Sequence, residues 1–104
     1  MLVYLNDRFV PAGEASVSVQ DRGFRFGDGV FETIALRRGE PYQWAFHMQR
    51  LEAGLAALRI SFNTAPLLGI CTELLARNGA ESGLLRIAVS RGVGSQGYLP
   101  LSGN

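Results

Sequence analysis

The sequence contains no lysine, since all ten of its basic residues are arginine. A lysine that forms a Schiff base or acts as a general base is therefore not available within these 104 residues. The single cysteine, Cys71, excludes an internal disulfide and fits a reducing compartment. No combination of cysteine, histidine and acidic residues has the spacing of a metal site. These absences exclude lysine-based catalysis by this chain alone, a disulfide scaffold and a recognisable metal centre.

The sequence also lacks a strong net charge and a long apolar run. Its net charge is +1 and the charged residues are scattered, so no basic face indicates nucleic acid as a partner. No apolar stretch reaches membrane-spanning length, and the N-terminus has no basic segment followed by a long apolar one. Hydrophobic residues make up 47% of the chain, as is usual in globular proteins. We therefore expect one soluble, cytoplasmic domain with no nucleic-acid or membrane partner.

Four stretches have the composition of strands or hairpins: 2–10, 15–20, 30–44 and 84–92. Asn6 and Asp7 tolerate left-handed backbone, so the first stretch is predicted as a hairpin. The second stretch alternates and is predicted as a half-buried strand or extended segment. In the third, Gly39 and Pro41 indicate a turn before a short strand at 42–44.

The stretch 21–44 combines glycines and arginines with alternating aromatic residues. Phe24 and Phe26 flank Arg25, and the alternation indicates an extended segment. The tripeptide Gly27-Asp28-Gly29 indicates a turn or a β-bulge. We therefore interpret the whole stretch as a strand, a turn and the hairpin that follows.

Two stretches have helical periodicity. From Ala45 onward, apolar residues recur at helical spacing and predict an amphipathic helix of about four turns. A second helix follows Asn63 and Thr64 as N-cap residues and ends at Asn78-Gly79. The order of elements predicts a single α+β domain over 1–104, a mainly antiparallel sheet with two helices on one face.

His47 and Arg50 are the first candidates for a functional site, because residues three apart share a helix face. The planar fork of Arg50 suits a phosphate or a carboxylate. Alternatively, Arg50 is a solvated arginine whose stem covers apolar surface. His47 is either a catalytic base or an ordinary hydrogen-bonded histidine. Periodicity and spacing leave both alternatives open and favour the structural one.

The remaining polar stretches indicate a functional site less clearly. The segment "FGDGVFE" lacks the third spaced glycine of a dinucleotide-binding loop and the lysine of a P-loop, so we interpret it as a turn or bulge. Asp28 and Glu32 can lie near each other, but acids in a strand region are more often solvated than catalytic. Residues 90–98 form either an anion-binding loop or a flexible end. Cys71 is interpreted as a small core residue.

Three motifs together resemble a known family: "DRGFRFGDGVFET", "HMQRL" and "RIAVSRGVGSQGY", in this order and spacing. They resemble the N-terminal part of the fold-type IV, or class IV aminotransferase, enzymes that depend on pyridoxal 5′-phosphate. The resemblance covers roughly residues 3–100. It implies the small N-terminal domain of the D-amino-acid aminotransferase-like fold. It also implies a C-terminal domain beyond Asn104 and a homodimeric enzyme.

The resemblance also implies roles for individual residues. Arg50 is the arginine of the family's H-x-x-R-L motif and is expected to bind the cofactor phosphate. Phe31 and Tyr98 are expected to shape the substrate pocket, and Gln96 and Arg91 belong to the loop beside it. The lysine that binds the cofactor lies in the family's C-terminal domain. No catalytic residue is therefore expected among these 104 residues.

The same positions bear on the type of reaction. In D-amino-acid aminotransferases, a tyrosine, an arginine and a histidine bind the substrate carboxylate where this chain has Phe31, Gln96 and Tyr98. Branched-chain aminotransferases usually read "YGTSVFEGIR" where this chain has "FGDGVFETIA". The motifs "FGDG", "HMQRL" and R-G-x-G-x-x-G-Y resemble those of 4-amino-4-deoxychorismate lyase.

The resemblance thus implies a lyase that converts aminodeoxychorismate to 4-aminobenzoate and pyruvate in folate biosynthesis. A class IV aminotransferase acting on D-amino acids or branched-chain amino acids is the second interpretation. A stand-alone, non-catalytic dimerising or binding module is the third. Because it has no lysine, the 104-residue chain alone is expected to be inactive.

Overall fold

A computed structural model describes residues 1–93, which contain five strands and three α-helices. The strands are β1 (Leu2–Leu5), β2 (Arg8–Pro11), β3 (Gly29–Arg37), β4 (Glu40–Pro41) and β5 (Leu84–Ser90). The helices are α1 (Arg22–Phe26), α2 (Trp44–Leu58) and α3 (Leu67–Asn78). Within this part of the chain, no helix combines the length and the apolar composition needed to cross a membrane.

The strands β1 and β2 form a separate antiparallel hairpin, as predicted. Asn6 and Asp7 form its turn with φ values of 46° and 73°, the left-handed backbone that these residue types tolerate. The side chain of Asn78 connects this hairpin to the end of α3. Its Oδ1 accepts a hydrogen bond from the Leu2 amide at 2.8 Å, and its Nδ2 donates to the Leu2 carbonyl at 2.9 Å.

The second sheet has the strand order β4-β3-β5, and both pairings are antiparallel. Successive side chains of a strand point to opposite faces. In β3 the buried residues are Glu32, Ile34 and Leu36, and the residues between them are exposed. In β5 the buried residues are likewise alternate. One face of the sheet is therefore covered and the other is open.

The helices α2 and α3 supply the other half of the core. Their buried residues recur every three or four positions: Met48, Leu51, Leu55, Leu67, Cys71 and Leu75. Burial raises the pKa of the Cys71 thiol to about 11, in keeping with its prediction as a core residue. Gly79, at φ 60°, ends α3 as predicted. The α+β class and the two helices on one face are confirmed.

The prediction of an extended segment around Phe24 and Phe26 is wrong, because this stretch forms the short helix α1. The Asp21 side chain accepts hydrogen bonds from the amides of Gly23 and Phe24 at 2.7 and 3.4 Å and caps the first turn. Gly27 follows the helix with φ 65° and ends it. Local capping therefore overrides the alternating aromatic pattern.

Two further predictions need correction. The strand after the Gly39 turn is only Glu40–Pro41, not 42–44, because Gln43 adopts left-handed backbone at φ 56° and α2 begins at Trp44. Residues 16–20 are exposed and pair with no strand in the described part of the chain, so the stretch is not half-buried.

Gly29 tests the packing of β3 against β5. A Cβ added at Gly29 lies 2.6 Å from the Val89 carbonyl oxygen and 2.9 Å from the Ser90 Cα, so backbone must shift. We expect Gly29→Ala to lower the free energy of unfolding by about 1–3 kcal/mol, measured by denaturant titration. Gly69→Ala is the control, since Gly69 is helical with open space around it. That change is expected to stabilise by up to about 1 kcal/mol. Equal effects at the two glycines contradict this account.

Candidate functional site

A buried carboxylate, that of Glu32, is the centre of the candidate site. Glu32 is only 4% exposed and lies on the covered face of β3, like Ile34. Its carboxylate oxygens accept hydrogen bonds from Arg50 Nε at 3.0 and 3.2 Å and from Arg50 Nη2 at 2.8 Å. The Nδ1 atom of His47 lies 2.6 Å from Glu32 Oε1. The expectation that Glu32 is solvated is wrong. We refer to Glu32, His47 and Arg50 as the Glu32 cluster.

The helix α2 brings His47 and Arg50 to the same carboxylate, which confirms that they share a helix face. An ionised carboxylate has no proton to donate, so His47 Nδ1 is the donor in its hydrogen bond with Glu32. Phe46 lies beside both residues: its ring is 5.2 Å from the Arg50 guanidinium carbon and 5.8 Å from the imidazole. The cluster thus consists of one anion, a cationic fork and an imidazole that meet at the junction of β3 and α2.

Hydrogen bonding from Arg50 lowers the pKa of Glu32, and the hydrogen bond from His47 acts in the same direction, while burial opposes both. The same contacts with Glu32 raise the pKa of Arg50 further. Both groups are therefore charged at neutral pH. The Glu32 carboxylate fixes one edge of the guanidinium in a charge-assisted, two-pronged contact.

The other edge of the Arg50 guanidinium is available. The Arg50 side chain is 58% exposed, and its Nη1 has no hydrogen-bond partner among residues 1–93. A guanidinium held on one edge and open on the other is suited to bind a phosphate or carboxylate. Arg50 is therefore the residue of this cluster that can hold an anionic cofactor group. In the same range, no three histidine, cysteine or acidic side chains are placed to hold a metal ion.

A second cluster forms around Asp28 and is separate from the first. Asp28 Oδ2 accepts hydrogen bonds from Arg22 Nε and from Arg91 Nε, both at 2.8 Å. Arg91, predicted beside the substrate pocket, also donates to the carbonyl oxygens of Leu58 and Arg59 at the end of α2. Arg91 lowers the pKa of Asp28 most, and Arg22 adds to the effect, while burial opposes it. We refer to Asp28, Arg22 and Arg91 as the Asp28 cluster.

Phe31 lies on the open face of β3, opposite to Glu32. Phe31 is 57% exposed, and the Arg86 guanidinium carbon lies 4.2 Å from the ring centroid. The structure therefore offers an exposed aromatic surface with an adjacent cation at this position. The other two predicted pocket residues, Gln96 and Tyr98, lie outside the described residues. Their roles stay predictions, as do those of Phe31 and Arg91.

The sequence contains a signal for Glu32 that the interpretation of isolated acids missed. Glu32 has the same strand parity as the apolar residues Ile34 and Leu36, so it must point to the covered face. A carboxylate buried there needs cationic or hydrogen-bonding partners. His47 and Arg50, three apart on the following helix, are the side chains that meet this need.

The lowered pKa of Glu32 predicts a pH dependence of stability. The contribution of ionised Glu32 to the free energy of unfolding is complete above the ordinary pKa of 4.5. It is lost as the pH falls through the lowered pKa that Glu32 has in the folded protein. We expect Glu32→Gln to lower the free energy of unfolding by about 1–3 kcal/mol at pH 7, because Arg50 and His47 lose an anionic acceptor. The difference from the original protein should shrink below about pH 4.5.

The measurement is denaturant titration at several pH values. Glu81→Gln changes an exposed glutamate and serves as the control, with an effect within about 0.5 kcal/mol. A cost for Glu32→Gln that stays constant from neutral to acidic pH contradicts the ion-pair account.

Comparison with known proteins places this fold in a family. Residues 29–104 match the family described as Amino-transferase class IV. A D-alanine aminotransferase of Listeria innocua is 38% identical over 95 residues, which cover 89% of this chain and 33% of that protein. An aminodeoxychorismate lyase of Bacillus subtilis is 32% identical over 102 residues, 94% of this chain and 35% of that protein.

Solved structures of class IV aminotransferase enzymes also resemble this fold. The 4-amino-4-deoxychorismate lyase of Pseudomonas aeruginosa is 41% identical with a TM-score of 0.77, over 88% of this chain and 33% of that chain. The PLP-bound form of a hypothetical aminotransferase from Mycobacterium tuberculosis is 28% identical with a TM-score of 0.74, over 89% of this chain and 34% of that chain. This chain spans about a third of the length of these relatives. It belongs to the class IV aminotransferase family.

Proposed function

We propose that this chain is the small N-terminal domain of an enzyme that uses pyridoxal 5′-phosphate (PLP) to convert 4-amino-4-deoxychorismate to 4-aminobenzoate and pyruvate. The proposal includes a C-terminal domain that carries the PLP-binding lysine, assembly as a homodimer, a cytoplasmic location and a role in folate biosynthesis. The observation that carries the proposal is the Glu32 cluster, which holds an arginine with one edge free for an anion. The family membership supports PLP as the source of that anion.

The chemistry of Arg50 fits a PLP phosphate. Its guanidinium is anchored by Glu32 through Nε and Nη2, and Nη1 carries further N–H groups without a partner in residues 1–93. Phosphate oxygens are strong acceptors that pair well with such a planar fork. Arg50 would hold the phosphate, and Glu32 and His47 would hold Arg50. When bound, PLP supplies an electron sink that stabilises negative charge on the substrate carbon.

Phe31 supports a lyase over a D-amino-acid aminotransferase. Its ring carries no hydroxyl group, so it cannot donate a hydrogen bond to a substrate carboxylate. The tyrosine at this position of D-amino-acid aminotransferases has that hydroxyl group and is expected to donate. Its exposed ring offers a surface for an unsaturated six-membered ring. Each product of the proposed reaction carries one carboxylate, so the substrate carries two. Arg86, beside Phe31, has the positive charge that attracts a carboxylate.

A class IV aminotransferase is the second candidate. The similarity to the D-alanine aminotransferase of Listeria innocua at 38% identity favours it. The two functions differ in their requirement for an amino acceptor. A lyase releases pyruvate from aminodeoxychorismate alone, whereas an aminotransferase needs a 2-oxo acid that accepts the amino group.

The product of the complete reading frame tests the proposal. We expect purified protein with PLP and aminodeoxychorismate, and with no added 2-oxo acid, to form 4-aminobenzoate and pyruvate in equal amounts. Chromatography measures the first product and a coupled lactate dehydrogenase assay the second. Phe31→Ala should lower kcat/KM by about 3- to 10-fold, the size of a lost aromatic contact. Thr33→Ala, on the same exposed face of β3, is the matched control.

Formation of D-glutamate from D-alanine and 2-oxoglutarate, with no 4-aminobenzoate from aminodeoxychorismate, would replace the lyase by the aminotransferase. A folded protein that binds no PLP and performs neither reaction would leave the non-catalytic module as the interpretation.

A further inference from the structure

A glycine in the second half of α2 lies directly against β3. Gly54 is the only glycine of this helix, and it follows Arg50 by four residues. A Cβ added at Gly54 would lie 2.8 Å from Val30 Cγ1 and 3.6 Å from Val30 Cβ. Glycine is less favourable than alanine inside a helix, so its presence at this position needs another reason. The close approach of α2 to Val30 supplies that reason.

The contact between Gly54 and Val30 is in register with the contact between Arg50 and Glu32. Val30 precedes Glu32 by two residues, has the same strand parity and packs against the core, so both residues belong to the covered face of β3. Two residues along a strand span about 6.6 Å, and four residues along a helix span about 6 Å. The two contacts are therefore one helical turn apart, and α2 runs antiparallel to β3.

The hydrogen bonds of Glu32 depend on this same distance between α2 and β3. Arg50 Nε and Nη2 donate to the carboxylate at 3.0 and 2.8 Å. With a methyl group at Gly54, the contact with Val30 Cγ1 must lengthen from 2.8 Å to at least 3.4 Å. The β-branched side chain of Val30 rotates only with difficulty, so the helix has to give way. Such a displacement of α2 takes the Arg50 hydrogen bonds beyond about 3.2 Å, the upper end of their usual range.

We infer that Gly54 is a positioning residue for the proposed phosphate site, because it lets α2 approach Val30 and so holds Arg50 within reach of Glu32. The inference rests on the proposed function, in which Arg50 binds the phosphate of PLP. Gly54 acts through the backbone of α2 and needs no contact with the cofactor. A methyl group at this position moves the helical turn that carries Arg50, and the free edge of the guanidinium moves with it.

The test is Gly54→Ala in the product of the complete reading frame, with PLP and pyridoxal as ligands. We expect the dissociation constant for PLP to rise about 3- to 10-fold, and that for pyridoxal, which lacks the phosphate, to change by less than about 2-fold. Gly69→Ala is the matched control, since it makes the same change in α3 with nothing within 4 Å of the added Cβ. Its two dissociation constants should equal those of the original protein.

A second substitution separates positioning from general destabilisation. Val30→Ala removes Cγ1, the atom that the added methyl group meets. The double variant Gly54→Ala with Val30→Ala should therefore bind PLP within about 2-fold of Val30→Ala alone, because the two positions are coupled. Unchanged PLP binding in Gly54→Ala, an equal loss of PLP and pyridoxal binding, or no recovery in the double variant overturns the inference.

The stability of the protein gives a readout that does not require PLP. If Gly54→Ala moves α2 away from β3, Glu32→Gln should lower the free energy of unfolding by less than about half as much in that variant as in the original protein. An equal loss in both backgrounds, measured by denaturant titration, overturns the positioning role. If the original protein binds no PLP, the proposed function fails, and this comparison still decides whether Gly54 holds Arg50 against Glu32.

Discussion

The burial of a carboxylate is the constraint on which the site depends. Glu32 lies among the apolar residues of the covered face of β3, where an ionised group without partners is strongly unfavourable. The fold satisfies it with His47 and Arg50 from α2. The packing of α2 on the sheet and the orientation of Arg50 therefore depend on the same contacts with Glu32. A helix displaced from β3 would leave a buried anion without its partners, so the core and the site are stabilised together.

Glu32 engages only part of the Arg50 guanidinium. Glu32 occupies one edge of the Arg50 guanidinium, and the remainder is exposed to solvent. This division would allow one residue to serve both the fold and a ligand: the buried carboxylate fixes the orientation, and the exposed edge is left free for the anion that we propose. The Asp28 cluster follows a similar principle, since one carboxylate holds Arg22 and Arg91 and thereby connects segments distant in sequence. The two clusters lie at successive acidic residues around the beginning of β3.

Much of this arrangement is accessible from the sequence, and the rest fails for identifiable reasons. Helical periodicity locates α2 and α3, and Asn6-Asp7 locates the first turn, because these are local signals. The alternating aromatic residues of α1 predict an extended segment, whereas a single capping aspartate, Asp21, decides the structure. The residue type of Glu32 alone predicts a solvated acid, although strand parity places it inside. The pairing of Asp28 with Arg91 joins residues 63 positions apart, which no local pattern specifies.

We propose that Glu32 serves a phosphate site by holding Arg50. The most direct measurement is the affinity of the complete protein for PLP and for pyridoxal, which lacks the phosphate, in the original protein and in Glu32→Gln. Glu73→Gln is the matched control, since Glu73 pairs with an arginine on the exposed surface of α3. The account predicts that Glu32→Gln weakens PLP binding about 10-fold and pyridoxal binding by less than about 3-fold, with no change for the control. Equal weakening of both compounds, or no change in either, contradicts it.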